Sequence, residues 1–170
     1  IITSNAGLWC YDIGDTIKFV SMEPYRLVVT GRIKHFTSAF GEHVIAEEVE
    51  GAVQDAMASA GGVVTEFHVA PEVSPANGLP FHEWFIEFSE LPPDVEAFAK
   101  AVNEGVLKRN PYYRDLISGA ILQNAKVRLL EKGAFHQAMA NRGKLGGQNK
   151  PPRLANGRDF AAELERLTQH

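Results

Sequence analysis

The sequence holds a single cysteine, Cys10, in 170 residues, which excludes an internal disulfide framework. No apolar run reaches the roughly 18 residues that a spanning helix needs, and no secretory leader pattern is visible. Basic residues are in the minority: 17 Lys and Arg against 21 Asp and Glu give a formal charge of −4. Charge therefore makes no case for nucleic acid or a membrane surface as a partner, and neither is expected. The spacings H-x-x-x-H and C-x-x-C do not occur, and His43, His68 and His136 stand apart, so no protein-held metal site is expected. Repeats and low-complexity tracts are missing as well. What remains, 45% apolar and 22% charged, is the balance of an ordinary globular chain. Its length suits one domain, or a small domain with an appendage.

The chain opens on the apolar pair Ile1-Ile2 rather than on Met. The expectation is a piece of a longer protein, divided near a domain boundary. Residues 1–12 read as a short entry strand and turn. Thr16 to Met22 and Arg26 to Thr30 are β-rich and separated by Glu23-Pro24-Tyr25, which predicts a hairpin that Gly31 then breaks. His35 to Phe40 has room for a short strand. Val49, Ala52, Val53, Ala56, Met57 and Ala60 recur at helical spacing, so Ala46 to Ala60 is expected to be a helix stopped by Gly61-Gly62. Gly62 to Val69 and His82 to Phe88 read as strands joined by a Pro/Asn/Gly loop. Pro92-Pro93-Asp94 starts a helix that runs to Arg109, and Asn110-Pro111 ends it. A helical piece over Tyr112 to Ile121, a strand over Ala125 to Leu130, a helix over Ala134 to Asn141 and a terminal helix over Arg158 to Leu167 complete the reading. The fold expected is α+β: a small mixed β-sheet covered by helices, preceded by a β-hairpin.

Two stretches carry candidate chemistry. The first is Tyr11-x-x-Gly14-Asp15, then a strand, then Gly31-Arg32 with Lys34 and Gly41, then Glu47-Glu48-Val49-Glu50. The second is Lys144-Leu145-Gly146-Gly147-Gln148-Asn149-Lys150-Pro151-Pro152-Arg153. Taken as residues alone, each has a plain structural use. Asp15 suits a turn carboxylate that caps backbone N–H groups, and Arg32 a surface arginine at a strand end. Tyr11 suits a core aromatic, and Lys34 and Lys150 suit solvated lysines. Glu42, Glu47 and Glu48 read as a carboxylate cluster in a helix's first turn, favourable against the helix dipole. His82 and Glu83 alternate on a strand and point to opposite faces.

The first stretch resembles the closing segment of the adenylate-forming enzymes, whose pattern is Y-x-x-G-D, a strand, and G-R-x-[DK]-x-x-[IVL]-K-x-x-G. Within them, the wording GDTIKF…GRIKHFTSAFGE resembles the auxin-responsive acyl acid amido synthetases in their bacterial form. The second stretch is similar to that family's G-G-Q-x-K-x-P-R motif. The resemblance implies a cytoplasmic ligase that joins a carboxylic acid to an amine through acyl-AMP. ATP would be its cofactor, with Mg²⁺ arriving on the nucleotide. It implies that residues 1–31 are the tail of a large N-terminal domain, which would be this chain's partner, and that residues 32–170 are a mobile cap. Asp15 would accept hydrogen bonds from the ribose hydroxyls, Tyr11 would line the nucleotide pocket, and Arg32 would reach ribose or phosphate. Lys34 would be the hinge. Lys150 would be the catalytic cation at the α-phosphate, with Gln148 and Arg153 orienting the loop or contacting phosphate.

The phosphate-binding loop that family members carry upstream is not in this sequence, so the chain alone is expected to be inactive. Ser38 stands where many acyl-CoA synthetases have lysine. That departure favours amide over thioester formation. A ligase acting on CoA or a carrier thiol, and a non-enzymatic α+β binding module, are the alternatives.

Overall fold

A computed structural model of the chain describes residues 2–7, 9–11, 14–32, 36–146 and 149–168; at residues 15, 16, 30–32 and 36 it describes the backbone. Strands β1 (Asp15–Met22) and β2 (Tyr25–Arg32) form an antiparallel hairpin around Glu23-Pro24. Gly31 does not break β2. The register steps from Thr16↔Gly31 to Ile17↔Val29, so β2 absorbs Thr30 as a β-bulge and Gly31 keeps its place in the ladder beside it. Ile17, Phe19, Tyr25, Leu27 and Val29 are each at least half exposed, and the hairpin lies outside the core. Where an entry strand is expected in residues 1–12, the described residues form an isolated bridge, Ile2↔Tyr11.

Two short strands, β3 (Phe36–Thr37) and β4 (Val44–Ile45), pair and lead into helix α1 (Ala46–Ala60). The Glu48 carboxylate accepts from the Ile45 N–H at 3.0 Å, which satisfies a backbone donor at the helix start. Gly61, at φ +78°, ends the helix. The chain continues through β5 (Val63–Glu72), β6 (Phe81–Glu90), α2 (Val95–Arg109), α3 (Pro111–Ser118), β7 (Lys126–Leu130), α4 (Ala134–Asn141) and α5 (Asp159–Leu167). Asp94 caps α2 by accepting from Glu96 and Ala97 N–H at 2.8 and 3.0 Å.

The main sheet has the order β5-β6-β7, with β6 antiparallel to β5 and parallel to β7. A parallel pair needs a long crossover, and α2 with α3 supplies it. Residues Phe81 to Phe88 of β6 are all buried, because both faces of this central strand are covered. On one face Phe67, Val69, Trp84, Ile86 and Phe88 meet Val49 and Ala52 of α1 and Phe98 and Val102 of α2. On the other, Ala70, Phe85 and Leu130 meet Phe135 and Met139 of α4 and Phe160 and Leu164 of α5. This is the small mixed sheet covered by helices that the sequence implies, with a β-hairpin ahead of it. Among the described residues no helix is long and apolar enough to cross a membrane.

Candidate functional site

The segment that follows α4 returns across the free edge of β5, and it carries the second motif. Val69 N–H donates to the Arg153 carbonyl at 2.9 Å, and Ala155 N–H donates to the Val69 carbonyl at 3.1 Å. Leu154, buried between them, forms a parallel bridge with Val69. Arg153 lies against helix and sheet together. Its guanidinium is 2.6 Å from Glu50 of α1 and 3.4 Å from Glu66 of β5, and it stacks over the Phe67 ring. Asn156 accepts from the Ser38 N–H at 2.7 Å. The two motif-bearing stretches therefore meet through Arg153 and Glu50, 103 residues apart in sequence, and the Ser38–Asn156 bond lies just beyond the second of them.

Lys150 is exposed on this segment, three residues before the Arg153 clamp. A cleft of about 310 Å³ lies beside it, lined by Glu66, His136, Met139, Lys144, Asn149 and Pro151. One wall is α4, whose N-terminus is capped from the neighbouring strand. The Glu87 carboxylate accepts from Gly133 and Phe135 N–H at 2.9 and 3.2 Å. Asp15 and Arg32 are Cα partners at the open end of the β1–β2 ladder, so the structure pairs these two candidates in the backbone. Tyr11 is exposed rather than in a core, on the isolated bridge to Ile2. Lys34 and Gln148 lie outside the described residues.

Beyond Gly41 the first motif is fixed into the core. The sequence groups Glu42 with Glu47 and Glu48 as a helix-terminal cluster, and for Glu42 this is corrected. Glu47 and Glu48 occupy the first turn of α1, whereas Glu42 precedes the helix and is fully buried. Its carboxylate contacts His82 Nε2 and accepts from the Phe40 N–H, both at 2.8 Å. Burial alone raises the Glu42 carboxyl, but the hydrogen bond and charge of His82 and the Phe40 N–H hold it below its ordinary range. Asn110 donates to the Glu42 carbonyl and to the Glu48 carboxylate, each at 3.0 Å, while its own side-chain oxygen caps α3 at Tyr113 N–H. His82 and Glu83 do face opposite ways. Glu83 pairs with Arg128 at 2.7 Å and Arg158 at 2.6 Å, on the sheet face away from Glu42. Among the described residues no group of three or more His, Cys, Asp or Glu could hold a metal ion.

His68, Glu66 and Asn156 are the positions that motif reading passed over. Each acts on a partner far along the chain, at 87 residues for Glu66 and 84 for His68, so no local spacing marks them. Glu50 stands in the first motif, but its partner Arg153 is 103 residues away.

An α+β unit whose exposed lysine rides a segment clamped to one sheet edge is the class the geometry defines. The sequence model of the GH3 family C-terminal domain matches residues 47–159. The chain belongs to the GH3 family, over that family's C-terminal domain. Two solved structures share its fold. GH3.15 acyl acid amido synthetase has 17% identity and a TM-score of 0.75, covering 97% of this chain and 32% of its own. The structure titled AtGH3.15 acyl acid amido synthetase in complex with 2,4-DB has 16% identity and a TM-score of 0.74, covering 97% and 31%. The chain thus spans about a third of the length of the proteins it resembles. No protein with a curated description matches it in sequence.

Proposed function

We propose that this chain is the C-terminal part of a bacterial, cytoplasmic, ATP-dependent ligase that joins a carboxylic acid to an amine or amino acid. The observation that carries the reading is the GH3 C-terminal domain match over residues 47–159. The exposed apolar residues of the β1–β2 hairpin support assigning residues 1–31 to the tail of a large N-terminal domain and residues 32–170 to the cap.

In the first step a carboxylate oxygen attacks the α-phosphorus of ATP, and the bond to pyrophosphate breaks. Lys150 supplies positive charge where negative charge builds on the α-phosphate. A compact ammonium on a long stem suits that task. Arg153, held by Glu50 and Glu66, orients the segment, and Gln148 assists it or contacts phosphate. Those carboxylates engage Nη1 and Nε of Arg153, so its remaining guanidinium donors are the ones to meet phosphate. Asp15 accepts from the ribose hydroxyls, Arg32 faces ribose or phosphate, and Tyr11 lines the nucleotide pocket. Mg²⁺ arrives with ATP, bound by phosphate oxygens. In the second step the amine nitrogen attacks the acyl carbon and AMP leaves. The cap turns about a hinge at Lys34 between the two steps.

The test uses the full-length protein. Acid-dependent exchange of pyrophosphate into ATP is expected, followed by amide formation with an amino acid and not by thioester formation with CoA. Absence of exchange with any carboxylic acid would remove the adenylation reading. Thioester product would reassign the acceptor.

A further inference from the structure

His68 sits on β5 with its ring wedged edge-on to Phe160 of α5, centroids 5.0 Å apart, and tilted against Phe85 of β6. It is fully buried. Its Nδ1 is 2.6 Å from the Pro152 carbonyl oxygen. A carbonyl only accepts, so Nδ1 carries the proton and donates. Nε2 is buried without a partner. The ring is therefore neutral, and burial, with Arg158 and Arg142 nearby, pushes it down to about 4 against the opposing pull of the Pro152 bond.

The local sequence explains why a side chain is needed here. Pro151 and Pro152 have no N–H, so they cannot donate to β5. Ladder bonding along this edge begins only at the Arg153 carbonyl. Without His68, the Pro152 carbonyl would be left with no partner from β5 just where the segment leaves the sheet. Lys150 lies two residues upstream, within roughly 7 Å of extended chain, so the position of this carbonyl fixes the base from which the lysine projects.

We propose that His68 is a positioning residue for Lys150: it holds the Pro152 carbonyl and so sets the root of the lysine-bearing segment. The part concerning catalysis rests on the ligase reading above.

The experiment compares His68→Leu with His68→Asn in the full-length protein. The two replacements share the same branched, four-atom side chain, leucine being the bulkier and asparagine leaving more space, but only asparagine keeps a donor at the δ position. Two readouts are taken: amide exchange of peptides containing Val69 and Ala155 relative to the β6–β7 ladder, and the two half-reactions measured separately. In His68→Leu, exchange at Val69 and Ala155 rises about tenfold beyond any global change, the effect of leaving a buried acceptor unpaired. Adenylation falls about tenfold in kcat, as expected for a displaced catalytic group, while amide formation from supplied acyl-AMP holds. His68→Asn restores both towards wild type. Identical exchange in the two variants overturns the proposal. So does selective loosening without loss of adenylation, if Lys150→Ala cripples that step. If Lys150→Ala also leaves adenylation intact, the role given to Lys150 fails while the ligase reading stands, and the exchange result alone upholds or overturns the anchor; if the wild-type protein shows no adenylation, the ligase reading itself fails.

Discussion

Gly105→Ala tests how closely the cap's two main helices are packed. Gly105 lies in the middle of α2, and a Cβ added there would fall 2.7 Å from Ala52 Cα and 2.8 Å from Ala52 Cβ on α1. Ala52 is itself fully buried, so the obstacle is backbone and has no rotamer by which to yield. Two effects compete. Replacing a helical glycine by alanine favours the folded state by about 1 kcal/mol. Forcing a methyl into a close-packed contact costs about 1–3 kcal/mol, and the upper end applies when two helix backbones must separate. The clash wins, for a net loss of about 1–2 kcal/mol, or roughly 2–8 °C in Tm for a chain of this size. Gly51→Ala is the control. Its Cβ would meet the Arg109 side chain at 2.5 Å, the movable end of a residue that bonds Asp55 at the surface. That arginine can swing aside, so Tm is expected to hold or rise slightly. Thermal and urea unfolding of both variants make the comparison. If Gly105→Ala is as stable as wild type, α1 and α2 are not in contact as described. The clamp that Glu50 of α1 provides to Arg153 would then have no fixed base.

Two further outcomes concern stability. Asn110→Ala removes the α3 cap and the donors to the Glu42 carbonyl and Glu48 carboxylate. A loss of about 2–4 kcal/mol is expected in urea unfolding, and a loss below about 0.5 kcal/mol would contradict the role given to this junction. His68 has a folded pKa of about 4 against 6.5 unfolded. Between those values the unfolded state binds more protons. Its contribution is therefore complete above pH 6.5 and is lost as pH falls towards 4, about 3 kcal/mol in all. The slope of stability against pH across that window should flatten in His68→Leu; an unchanged slope would mean the ring is not held neutral.

The sequence made the helices most legible. α1 and α4 have the expected bounds, Ala46–Ala60 and Ala134–Asn141, because apolar spacing and flanking glycines agree. The strands run longer than expected, β5 to Glu72 and β6 from Phe81 to Glu90, since a strand buried on both faces lacks the alternation that marks its ends. The second helical piece is shorter, Pro111–Ser118, because Asn110 caps it at one end and Gly119 closes it at the other. Gly31 misled for a tertiary reason: it keeps its place in the ladder beside a bulge, within β2. At the site, Lys150 and Arg153 were recognisable from local wording. What holds their segment was not. The Pro152–His68, Arg153–Glu50 and Ser38–Asn156 contacts join distant parts of the chain, and a lone histidine on a strand carries no sign of the carbonyl it serves.

The central claim is that Lys150 acts in making the acyl-adenylate and not in consuming it. The most direct measurement compares Lys150→Ala with wild type in the full-length protein, once from free acid and ATP and once from supplied acyl-AMP and amine. The first reaction is expected to fall on the order of 10²–10³-fold, the effect of deleting one preorganised electrostatic donor, while the second stays near wild type. Equal losses in both reactions, or no loss in the first, would contradict the account.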